Sequence, residues 1–100
     1  MSELARFYGI VIAIYFRDFG QHKLPHVHAS YAGEEAVVEI ATGAVLAGYL
    51  NKPALRLVRE WLRDNRGAVT QAWQDALAGR QVGKIGSKKA KKRSRTGGGR

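Results

Sequence analysis

His26-Val27-His28-Ala29-Ser30-Tyr31 alternates polar with apolar side chains, the pattern of a strand with one face in a core and the other outside it. Gly33 and Glu34 supply a turn, and Ala36-Val37-Val38-Glu39-Ile40 returns as the second arm of an antiparallel hairpin. A one-residue slip in such a pair exchanges the faces, so the apolar positions select the register. Setting Val27 against Ile40, Ala29 against Val38 and Tyr31 against Ala36 brings apolar to apolar throughout and puts His28 opposite Glu39. The adjacent register would oppose Val27 to Glu39 and His28 to Val38, mixing the faces. The first register is therefore expected, with His26, His28 and Glu39 on the face away from the helices.

Upstream, Phe7 to Phe16 is an apolar run in which Ile10, Val11, Ile12, Ile14, Tyr15 and Phe16 are β-branched or aromatic and both alternating faces are apolar, as in a central strand. It is too short for the roughly 20 residues of a spanning helix. With Glu3 ahead of it and no small-residue cleavage site after it, it also lacks the form of a secretory signal. A long connection, Arg17 to Pro25, carries Asp18, His22 and Lys23 between the breakers Gly20 and Pro25.

Downstream, Thr42-Gly43 leads into a strand from Ala44 to about Leu50. Asn51 is suited to cap a helix, and Pro53 fits its first turn, where a missing N–H is not needed. Leu55, Val58 and Leu62, with Leu57 and Trp61 beside them, form an apolar stripe, and Gly67 is expected to end this helix. A second helix follows from about Ala68 to Ala78, with Val69, Ala72, Trp73, Ala76 and Leu77 on one face and Gly79 after it. The expected class is α+β: a four-stranded antiparallel meander followed by two helices packed on one face. Residues 1–85 form the single domain and residues 86–100 a disordered basic tail.

Charge and composition narrow the functional classes. The 100 residues contain 17 Lys+Arg, 8 Asp+Glu and no Cys. Thiolate chemistry and a disulfide framework are thereby excluded, and the chain fits a cytoplasmic protein without a membrane segment. Nine of the basic residues and no acidic one lie from Arg80 onward, leaving residues 1–79 neutral. Lys88, Lys89, Lys91, Lys92, Arg93 and Arg95 lie among glycines with no apolar periodicity and no interleaved aromatic. They suit sequence-blind contact with RNA or DNA phosphates; a solubilising tail, or one for anionic surfaces generally, is the alternative.

Two imidazoles and a carboxylate on one strand face form the candidate chemical site. His26 and His28 with Glu39 could supply the acid and base of phosphodiester cleavage, and His26 and His28 with Asp18 could hold a divalent metal, the only cofactor the sequence suggests. A solvated polar face, a hydrogen-bonded pair and a partner contact are the competing readings. Tyr8, Tyr15, Tyr31, Tyr49, Trp61 and Trp73 read as core rather than as a base-stacking platform. Arg56, Arg59, Arg63 and Arg66 recur at helical spacing, but Glu60 and Asp64 interrupt them, as on a solvated helix face with local ion pairs. An uncovered sheet face exposing Val11, Val37 and Tyr15 would suit a homodimer.

Several stretches together carry a family resemblance. Arg6-Phe7-Tyr8-Gly9-Ile10-Val11-Ile12, Tyr15-Phe16-Arg17-Asp18, Pro25-His26-Val27-His28-Ala29, Ile40-Ala41-Thr42-Gly43, Gly48-Tyr49-Leu50, Leu57-Val58-Arg59-Glu60-Trp61 and Trp73 resemble a bacterial domain of unknown function, number 4160, over roughly residues 5–85. The resemblance implies a small protein often encoded beside a second small domain of unknown function, in an arrangement like a toxin–antitoxin pair. The family typically has a shorter, two-proline turn before the first histidine and often a histidine directly after the aspartate. Here Phe19 follows Asp18 and Gln21-His22-Lys23-Leu24 intervene, so the relation of Asp18 and His22 to His26 and His28 is altered. The basic tail lies outside the family pattern.

The expected function is a module that binds a small protein partner from a neighbouring gene through the histidine face, its tail adding affinity for RNA or DNA. The alternative is a small histidine-dependent or metal-dependent ribonuclease-like toxin. A ribosome- or chromosome-associated basic protein is a third reading.

Overall fold

The structure, a computed structural model, describes residues 2–15 and 24–86. Five strands precede one long helix: β1 (Ser2–Phe7), β2 (Ile10–Ile14), β3 (His26–Tyr31), β4 (Glu34–Glu39), β5 (Val45–Tyr49) and α1 (Lys52–Leu77). The strands form one antiparallel sheet in chain order, β1-β2-β3-β4-β5. The class is α+β, as expected, but with five strands and one helix in place of four and two.

The additional strand arises because the apolar run breaks at Tyr8-Gly9. Both residues have positive φ, 52° and 81°, which turns the chain back on itself within two residues. Tyrosine rarely adopts this conformation, so the turn carries no compositional signal. The next hairpin repeats the device at Ala32 and Gly33, with φ of 50° and 84°, one residue earlier than the expected Gly33-Glu34 turn.

That two-residue turn also corrects the register. Val27 faces Val38, Ala29 faces Ala36, His28 faces Val37 and His26 faces Glu39. The expected pairing of Tyr31 with Ala36 needs a four-residue loop; the tighter turn pairs Tyr31 with Glu34 and slides the ladder by two. A slide of two preserves the faces, so Val27, Ala29, Ala36 and Val38 still point into the core.

The two expected helices are one. Gly67 does not end α1; the backbone departs from helical geometry at Asn65, with φ −124° and ψ 19°, and then continues helical to Leu77. The Asn65 Nδ2 donates to the Trp61 carbonyl at 2.8 Å, satisfying an acceptor at the kink. At the start of α1, Asn51 acts as expected, its Oδ1 accepting from the Ala54 N–H at 3.0 Å. Glu34 Oε1 accepts in turn from the Asn51 N–H and Nδ2, both at 2.9 Å, tying the cap to β4.

Trp61, Val58, Leu62 and Val69 of α1 are fully buried against Leu4, Ile12, Ile14, Val27 and Val38. Each such aliphatic side chain contributes on the order of 2 kcal/mol by leaving water. Past the helix, the chain returns to β1: the Ile85 N–H donates to the Leu4 carbonyl at 2.8 Å and the Trp61 Nε1 donates to the Gly86 carbonyl at 2.9 Å. Val82 and Ile85 pack on the core from this strap. Among the described residues no helix is long and apolar enough to cross a membrane.

Candidate functional site

The register gathers three rows of side chains at the strand positions that alternate with the core residues Val27, Ala29, Ala36 and Val38. Tyr15 follows β2, His26 and His28 stand two apart on β3, and Glu35, Val37 and Glu39 alternate on β4. The site is formed where these side chains meet.

His28 lies flat against Tyr15, with ring centroids 4.1 Å apart and planes 14° from parallel. Its Nδ1 donates to Glu35 Oε2 at 2.7 Å, diagonally across the hairpin. The carboxylate is 45% exposed and the imidazole only 11%, so the ring is held from two sides with a narrow outlet to water. A carboxylate oxygen can only accept, so Nδ1 carries a proton in this pair.

His26 is anchored in the same sense. Its Nδ1 lies 2.8 Å from the Leu24 carbonyl, which can only accept, so Nδ1 carries the proton. The ring sits 5.5 Å from that of His28 and 4.8 Å from Trp73, centroid to centroid. It is 1% exposed. This corrects the expectation that His26 faces away from the helices: beyond the Asn65 kink, α1 brings Trp73 onto it. Val37, expected at an exposed surface, is buried as well.

Glu39 does not join His28. It faces His26 in the ladder, and its Oε1 accepts from the Thr42 hydroxyl at 2.7 Å, which in turn accepts from the Ala44 N–H at 3.1 Å. The carboxylate thus closes the loop between β4 and β5. Glu35 takes the place expected of Glu39, and sequence reasoning missed it because the register shift of two is invisible to face-matching. The tight Ala32-Gly33 turn, which propensity does not favour, is what puts Glu35 within a diagonal of His28.

Asp18, expected as a metal ligand, and His22 lie outside the described residues, as do Lys88, Lys89, Lys91, Lys92, Arg93 and Arg95 of the tail. Among the described residues no group of three or more His, Asp or Glu side chains is placed to hold a metal ion. His26 and His28 nevertheless share one feature, a ring anchored through Nδ1.

The aromatic residues divide. Trp61 and Trp73 are core, as expected, with Trp61 stacked 6.2 Å from Phe7. Tyr8 and Tyr49 are 67% and 64% exposed, against expectation. Tyr49 lies on β5, whose outer side has no strand neighbour among the described residues.

No curated protein and no solved structure matches the chain. The family model described as Domain of unknown function (DUF4160) matches residues 9–74, a span from the Tyr8-Gly9 turn through both histidines to Trp73. The chain belongs to this family.

Proposed function

We propose that the chain is a binding module that docks a small protein partner from a neighbouring gene, as in a toxin–antitoxin-like pair, and that its basic tail adds affinity for RNA or DNA. The observation that carries this reading is the difference between the two sheet edges. Both edge pairs carry a register shift, but β1 contains Glu3 and Arg6 and is bonded by the C-terminal strap through the Leu4 carbonyl. β5, Val45-Leu46-Ala47-Gly48-Tyr49, has no charged residue and no proline and exposes Val45 and Tyr49. An uncharged edge strand is the feature that accepts a strand from another chain. The docking surface is therefore the β5 edge rather than the histidine face.

Co-expression of the full chain with the neighbouring gene product tests it. A stable complex is expected, and Val45→Lys/Tyr49→Lys should weaken it without unfolding the chain, since both side chains are exposed. No complex, or a complex indifferent to both lysines, removes the reading.

A second reading, a ribonuclease-like toxin, is favoured by the His28–Glu35 pair. A carboxylate that orients an imidazole is a general acid–base arrangement, and the burial of His26 leaves His28 as its centre. Growth arrest on expression that His28→Ala abolishes would support it; harmless expression of the folded protein would count against it.

A further inference from the structure

The outer side of α1 carries Lys52, Arg56, Arg59, Arg63 and Arg66, spaced by four, three, four and three residues. That alternation holds Lys52 to Arg63 in one row of about 16 Å at 1.5 Å per residue, and Arg66 follows just past the Asn65 kink. All five are exposed.

Local ion pairs were expected along this row, and among the described residues none of the five forms one. The ion pairs among the described residues join Arg6 and Lys84 to Glu3, Arg80 to Asp75, and His28 to Glu35; none reaches the five. Glu60 and Asp64 have interactions of their own. Two of the arginines are instead fixed to backbone: Arg59 Nε donates to the Gly43 carbonyl at 2.8 Å and Arg66 Nε to the Ile40 carbonyl at 3.1 Å. Gly43 makes room for this, since a Cβ there would stand 3.1 Å from Arg59 Cγ. Bonding through Nε pre-orders the guanidinium and leaves its two Nη groups, the pair that grips a phosphate.

We infer that this face of α1 binds the phosphate backbone of a nucleic-acid duplex, as a second contact beside the tail. The inference rests on the nucleic-acid part of the reading above and extends it to the folded body. Phosphates of one strand rise about 3.4 Å each along the duplex axis, so a row of this length reaches more than one of them. The row itself contains no aromatic residue, so it offers no stacking platform of its own for unpaired bases. Phosphate contacts alone position a duplex without reading its sequence, and DNA and RNA duplexes present the same chemistry.

The experiment uses the full chain and two sets of substitutions. Arg56→Gln/Arg63→Gln removes two unpaired surface charges, and Lys88→Gln/Lys89→Gln/Lys91→Gln/Lys92→Gln removes four from the tail. Each is titrated with a mixed-sequence DNA duplex, an RNA duplex and single-stranded RNA over a range of salt. The helix variant is expected to keep the wild-type thermal midpoint while its slope of log affinity against log salt on duplex falls by about 2, roughly one per charge removed. A duplex slope and affinity equal to wild type overturns the inference, and loss in the tail variant alone then leaves the tail reading standing. Loss in the helix variant alone upholds the inference and removes the tail reading. An equal fall on single-stranded RNA overturns the assignment to a duplex.

Discussion

His28 and Glu35 meet diagonally across the β3–β4 hairpin, Nδ1 to Oε2 at 2.7 Å, because the turn at Ala32-Gly33 uses only two residues. A looser turn would hand the same imidazole to a different carboxylate. The local geometry of two residues thus selects the acid that accompanies the histidine.

The proton position on His28 follows from that pair. Glu35→Ala removes the acceptor facing Nδ1, and the Nε2–H form should gain population, read from the two-bond proton–nitrogen correlations of the ring. The stability change should stay below about 1 kcal/mol, because the carboxylate is half exposed and water can replace it. An unaltered tautomer ratio would mean that the Tyr15 stack, not Glu35, orients the ring.

The hairpin turn itself can be improved. Ala32 has φ 50°, a conformation that costs an ordinary L-residue about 1 kcal/mol and that asparagine tolerates. No close neighbour crowds the turn at Gly33. Ala32→Asn should therefore raise stability by roughly 0.5–1 kcal/mol in a urea titration, with an unchanged m-value. A loss of stability would contradict the two-residue turn.

These turns also separate what the sequence disclosed from what it did not. β3 was legible to the residue, and so was the Asn51 cap, because alternation and capping chemistry act over a few neighbouring positions. Pairing faces were legible too, since apolar burial enforces them. Register was not, because shifts of two satisfy the same faces and only the turn decides among them. The Tyr8-Gly9 and Ala32-Gly33 turns place poor αL formers at their first position, so propensity pointed elsewhere. Gly67 looked like a helix end, yet Trp61, Leu62, Val69, Ala72 and Trp73 all bury on one core, and that burial outweighs a single glycine's cost of about 1 kcal/mol. At the site, His26 and His28 were found, but Trp73 covering His26 depends on the kink at Asn65 and could not be read from periodicity.

Acid should act on the end of α1. Asp75 accepts from Gln71 Nε2 at 3.0 Å and from Arg80 Nε at 3.0 Å, and these bonds, Gln71 first, hold its carboxyl below the usual range. A carboxyl lowered on folding stabilises above its unfolded pKa, and the contribution is lost as pH falls through the folded one. The window therefore lies below about pH 4. Asp75→Asn should make unfolding less steep in that window while shifting the neutral-pH midpoint little, as followed by circular dichroism. An acid limb identical to wild type would show that the bonds to Gln71 and Arg80 do not persist in solution.

The strap that closes β1 hangs on one indole. Trp61 is fully buried, stacks on Phe7 and donates its Nε1 proton to the Gly86 carbonyl, while the neighbouring Ile85 N–H is held by Leu4. Trp61→Phe keeps an aromatic ring in the core but deletes the donor, leaving the carbonyl to find water and a space where the indole was. The expected cost is about 2–3 kcal/mol, combining the lost hydrogen bond with the unfilled volume. Because the donor holds the strap, the Ile85 amide should also exchange with solvent faster than the β3 amides do in the same variant. Uniform acceleration across Ile85 and β3 would instead mean that Trp61 acts on the core as a whole and that the strap is not separately fastened.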